Sequence, residues 1–107
     1  MKTHQEIDRR SLALAQAVAE KIDHDASRLG LDLARETCGR WHRDNPSPAL
    51  AEWQNILKQD WQEIRALLLE PSERGQRLRQ GSPFCGVLSA PERWAIYQQF
   101  QGEQKSV

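Results

Sequence analysis

The chain has no charge imbalance, few cysteines and no long apolar run, and each shortage removes a class of function. Fifteen Lys+Arg residues stand against fifteen Asp+Glu, a formal net charge of +0, so no overall field would hold the protein to nucleic acid or an anionic membrane surface. Local patches stay open. The two cysteines, Cys38 and Cys85, are far apart and fit neither a C-x-x-C redox pair nor any zinc spacing with His4, His24 or His42. Reduced thiols are therefore expected, with no metal or cofactor. The opening MKTHQEIDRRSLALAQAVAEKI is charged throughout and lacks an apolar run of signal-peptide or membrane-span length, which points to the cytoplasm, where free thiols are normal. No alternating run supports a paired strand, β-branched residues are few, and no enzyme motif or internal repeat is present.

Helical periodicity is what the chain has in quantity. At 107 residues it can bury one core without disulfides or metals, and the expected fold is all-α: a compact, irregular bundle of about five to six helices in a single domain, 1–107, with 102–107 a frayed tail. From Gln5 to Ile22 the positions Ile7, Leu14, Val18 and Ile22 recur at helical spacing. Asp23, His24 and Asp25 interrupt that pattern and supply capping side chains for a second helix over Ala26 to His42, with a stripe of Leu29, Leu33, Ala34, Thr37, Cys38 and Trp41. Gly30 and Gly39 inside it need a reason, such as close approach of the first helix, or else Gly30 divides two shorter helices.

Ser47 and Pro48 read as N-cap and first residue of a third helix, reaching Lys58. Asp60 and Glu63 have the reciprocal capping spacing for a fourth, Trp61 to Leu69, stopped before Pro71. Ser72 caps a short fifth helix carrying Arg74, Arg77 and Arg79. Gly81 in the left-handed conformation ends it, and Pro83 forbids its continuation. Ser89 and Glu92 form a capping box, with Pro91 in the first turn, for a last helix bearing Trp94, Tyr97 and Phe100. The link Phe84-Cys85-Gly86-Val87-Leu88 is apolar and must be buried against something.

Three function classes follow. For catalysis, Cys85 lies in a loop but has no activating motif or orienting third residue, so a buried thiol is expected. The Asp23-His24-Asp25 run looks like a ligand set, yet consecutive side chains point apart. For nucleic acid, Arg74, Arg77 and Arg79 could contact phosphates, but they could equally pair with Glu70, Glu73 or Glu92. For protein binding, Arg74, Arg77 and Arg79 beside Phe84, Val87 and Trp94 combine guanidinium groups with large apolar side chains, the mixture that heterologous interfaces use. Those six residues are the expected partner-binding set. The competing reading is that the loop plugs the end of the bundle and the arginines are solvated.

The run Leu78-Arg79-Gln80-Gly81-Ser82-Pro83-Phe84-Cys85-Gly86-Val87-Leu88, followed by Pro91-Glu92-Arg93-Trp94, resembles the C-terminal signature of small helical bacterial proteins of toxin-antitoxin operons. The Leu14 to Ile22 run and the Trp41 and Trp53 anchors are also similar, so the likeness covers most of the chain. It implies a non-enzymatic antitoxin that binds and neutralises a cognate toxin, of the nucleotidyltransferase type, by direct contact. The alternative is a DNA-binding regulator of its own operon.

Overall fold

Several helices in this protein begin where the sequence offers a side-chain oxygen to amides that have no partner of their own. The Ser47 hydroxyl accepts from the Leu50 N–H at 3.1 Å, with Pro48 following it in the first turn. The Ser72 hydroxyl accepts from the Gly75 N–H at 3.2 Å. Ser89 and Glu92 close the capping box in both directions, Glu92 N–H to the Ser89 hydroxyl at 3.3 Å and Ser89 N–H to the Glu92 carboxylate at 2.8 Å. The computed structural model describes the backbone of residues 4–105 and the side chains of residues 9–99. Over that span it contains α1 (His4–Asp23), α2 (Leu29–Asp44), α3 (Pro48–Ile56), α4 (Trp61–Leu68), α5 (Glu73–Gln80) and α6 (Ala90–Lys105), with a 3-10 turn at Pro83–Gly86 between the last two. No strand occurs among the described residues, and the all-α bundle is as expected.

Several boundaries differ from the sequence reading for identifiable reasons. α2 starts at Leu29 rather than Ala26, because Asp25 takes the Ser27 and Leu29 amides on its two carboxylate oxygens, at 3.0 and 2.9 Å. That bracket leaves Arg28 with φ 51 and ψ 45, a left-handed position that costs a non-glycine residue about 1 kcal/mol. Gly81 has φ −113, so no left-handed glycine ends α5. Ser82, forced to an extended ψ of 131 by the proline after it, ends the helix instead. Asp60 precedes α4 without a side-chain capping bond, and the backbone of α6 runs to Lys105. The expectations for the side chains of Ile7 and Phe100, and for residues 106 and 107, lie outside the described residues.

One cluster of buried side chains draws on α1 through α5 and the link after them, with Ile96 of α6 packed against its edge. Its centre is aromatic. Phe84 meets Trp53 edge-on, with ring centroids 5.8 Å apart at 66°, and Trp61 at 6.4 Å and 51°, geometries that suit the ring quadrupoles. Both indoles also satisfy their N–H groups: Trp53 donates to the Leu78 carbonyl at 3.1 Å and Trp61 to the Asp23 carboxylate at 2.7 Å.

Where α2 meets α1 it uses a glycine. A Cβ on Gly30 would lie 2.8 Å from Ile22 Cγ1 and 3.1 Å from Val87 Cγ1, so the close approach asked of a glycine in this helix is real at Gly30, and α2 is continuous there. At Gly39 nothing lies within 4 Å. The inward face is therefore Gly30, Ala34 and Cys38 at four-residue intervals, with Leu31 and Thr37 flanking them. Leu29 and Leu33, expected in the core stripe, are 66% and 40% exposed. A tight helix pair selects the residues that let backbones approach, and the larger leucines fall to the edge.

Candidate functional site

The six residues expected to form one docking face are divided by the structure between core, latch and surface. Phe84 and Val87 are buried, 2% and 7% exposed: Phe84 sits between the two tryptophans, and Val87 closes over Gly30. The Pro83–Gly86 turn supplies the physical reason. The Ser82 hydroxyl accepts from the Phe84 N–H at 3.1 Å, and that local turn drives the Phe84 ring inward while leaving Cys85 outside. The turn thus plugs the bundle, and neither Phe84 nor Val87 is available to a partner.

Arg79 is buried as well, at 7% exposure. Its Nη1 donates to the Leu68 carbonyl at 3.1 Å and the Glu70 carbonyl at 2.7 Å. These lie at and just beyond the end of α4, where carbonyls have no helical partner and a cation meets the negative end of the helix dipole. Arg79 is a helix-ending residue delivered from α5.

Arg74 and Arg77 are exposed and converge on Glu52 of α3. Arg77 donates through Nη1 and Nη2 at 2.7 and 3.3 Å, and Arg74 Nε lies 3.6 Å from the same carboxylate. The hydrogen bonds from Arg77 chiefly hold the Glu52 carboxyl below its ordinary value, against an opposing effect of burial, with Arg74 adding a lesser pull. Glu70, Glu73 and Glu92 were the alternative partners open to these arginines; Glu52, some 25 residues upstream of Arg77, carries no local signal that would have revealed it.

Trp94 alone among the expected anchors is a large apolar side chain in solvent, 54% exposed on α6. Leu29 and Leu33 of α2 share that character and were missed, because helical spacing marked them as core. The N-terminal turns of α2 and α6 both rest on the last turn of α1: Gly30 packs on Ile22, while Lys21 Nζ reaches the Val87 carbonyl at 2.9 Å and the Glu92 carboxylate at 2.8 Å. That contact with Lys21, helped by the Ser89 amide and hydroxyl, pulls the Glu92 carboxyl down to about 2. The exposed apolar side chains therefore belong to elements that meet at one end of α1.

The groups weighed for catalysis do not assemble. Asp23 accepts from Trp61 and from Arg65 Nε at 2.9 Å, Asp25 caps α2, and His24 Nδ1 donates to the Glu20 carbonyl at 2.7 Å. The run splits three ways, and no group of His, Cys, Asp and Glu able to hold a metal exists among the described residues. Cys85 is exposed, contrary to the buried thiol expected. Cys38 is buried, its thiol 3.6 Å from the Leu50 carbonyl, and burial raises its pKa. No described helix is long and apolar enough to cross a membrane.

Compared with known proteins, the chain matches no family model, no curated protein and no solved structure.

Proposed function

We propose that this protein acts by stoichiometric binding to another protein, through Trp94 of α6 and Leu29 and Leu33 of α2, as an antitoxin that neutralises a cognate toxin by direct contact. The observation that carries the reading is the exposure of Trp94 in a chain whose Trp53 and Trp61 are buried. A half-exposed tryptophan on α6 and two exposed leucines on α2, on two helices that both pack on α1, supply the residue types that interface centres use. The antitoxin assignment adds the likeness of the Leu78 to Trp94 run. Arg74 and Arg77 remain at the surface, but Glu52 neutralises much of their charge, which favours a protein partner over a phosphate backbone.

Co-purification with the product of the adjoining gene tests this directly. Trp94→Ala should weaken the complex by about 2 kcal/mol, close to thirtyfold, if Trp94 is a central anchor, and Leu29→Ala should weaken it further, while both variants keep the fold. A complex that forms with undiminished affinity after both substitutions refutes the site. An absence of any complex, together with operator DNA binding that weakens steeply with salt, would replace the reading with the regulator.

A further inference from the structure

A cleft opens between α1, the Pro83–Gly86 turn and α6, on a part of the molecule that the proposed protein interface does not use. Its volume is about 190 Å3, and its apolar wall includes Leu14 and Val18 of α1 and Leu88 of the link. The polar wall is of one sign. Arg79 and Arg93 line it, and no carboxylate does among the described residues. Arg93 makes no ion pair with any described residue, in contrast to Arg74 and Arg77, and Tyr97 beside it carries the Arg10 guanidinium over its ring at 5.5 Å. Cavities of about 150 Å3 accept a benzene ring, so this one takes an apolar body of about six to eight carbons. An apolar wall next to an uncompensated cation complements a short chain that ends in an anion.

We infer that this cleft binds a small amphiphilic monocarboxylate, with its apolar body on Leu14, Val18 and Leu88 and its carboxylate at Arg93. Cys85 lines the same cleft and is exposed, whereas Cys38 is buried, so the rate at which a thiol reagent modifies Cys85 reports occupancy.

Octanoate serves as the probe. At 1 mM it should slow alkylation of Cys85 about fivefold, corresponding to a Kd near ~0.25 mM. Acetate, which has no apolar body, should leave the rate unchanged. Arg93→Gln should remove most of the protection and Arg93→Lys should retain a good part of it, with thermal melts confirming that both variants fold. Equal protection of the wild type and Arg93→Gln, equal protection by acetate, or none up to 10-fold higher octanoate would each overturn the inference.

Discussion

The centre of the bundle and α6 use aromatic residues in opposite ways. At the centre, Trp53, Trp61 and Phe84 touch one another, and both indole N–H groups are bonded. On α6, Trp94 stands in solvent, and among the described side chains of that helix only Ile96 packs against the core cluster. Among the described residues, polar contacts tie α6 to α1 through the Lys21–Glu92 pair and the Arg10–Tyr97 stack. Tryptophans close in number along a chain can therefore have unrelated duties, and burial rather than residue type separates them. The sharpest way to break the contrast is to truncate one aromatic from each region. Phe84→Ala should cost about 3–5 kcal/mol, since it empties the space between two indoles, whereas Trp94→Ala should change stability by no more than about 0.5 kcal/mol. Urea unfolding of the two variants checks both. A small effect at Phe84 would place the structural centre elsewhere.

The second largest effect is expected at Gly75. A Cβ there would lie 1.9 Å from the Glu70 carbonyl oxygen, and that oxygen also accepts Arg79 Nη1 at 2.7 Å. It cannot retreat without releasing the arginine that ends α4. Alanine is normally the better helix former by about 1 kcal/mol, yet Gly75→Ala should destabilise by about 2–3 kcal/mol through overpacking against backbone, a fall in Tm of roughly 10–20 °C at this size. A neutral result would show that the link between α4 and α5 is free to shift, and that the packing of Arg79 is less constrained than its hydrogen bonds indicate.

How far these features were legible in the sequence depended on whether their cause was local. Ser47, Ser72 and the Ser89–Glu92 box announce their helices because a cap and its amides lie within three residues of one another. Gly30 and Gly39 both suggested a close approach, because a glycine inside a helix needs an explanation, but only Gly30 has a neighbour there. What did not show was every pairing across the bundle: Glu52 with Arg77, Asp23 with Trp61, Arg79 with the end of α4. Lone charged residues carry no record of their distant partners. The candidate site suffered for the same reason. Arginines beside an apolar loop look alike whether they meet solvent, a carboxylate or the exposed end of a helix, so half of the expected face proved to be interior.

Acid sharpens the comparison of the two regions by acting on their polar attachments. Asp23 is held below its ordinary value of 3.8, chiefly by the Trp61 N–H, which together with Arg65 outweighs the opposing effect of desolvation, and Glu52 below 4.5 by Arg77. Glu92 is held at about 2. Since all three are depressed in the folded state, their contributions are complete above the ordinary carboxylate range and are lost as pH falls through the folded values. Tm should be nearly level from pH 7 to about 5 and decline below about 4.5. Asp23→Asn should lower the plateau and flatten the decline, because asparagine keeps an acceptor for Trp61 but has no charge to lose. A decline of unchanged steepness in that variant would mean that α1 and α4 are not joined through this carboxylate.

The smallest effect, and the only favourable one, separates the two glycines of α2. At Gly39 nothing lies within 4 Å of the position a Cβ would take, so Gly39→Ala gains helix propensity without a clash and should stabilise the protein by about 0.5–1 kcal/mol. At Gly30 the same substitution meets Ile22 at 2.8 Å and Val87 at 3.1 Å. These are side-chain atoms on the seam that joins α1, α2 and the plug, and they must move outward to make room. Gly30→Ala should therefore be destabilising, and thermal melts of the two variants should shift in opposite directions. Both substitutions change the unfolded chain alike, so their difference isolates the packing of the seam. If the two shifts agree in sign, the tight approach of α2 to α1 is not what holds Leu29 and Leu33 at the edge, and the exposed leucines lose the cause assigned to them.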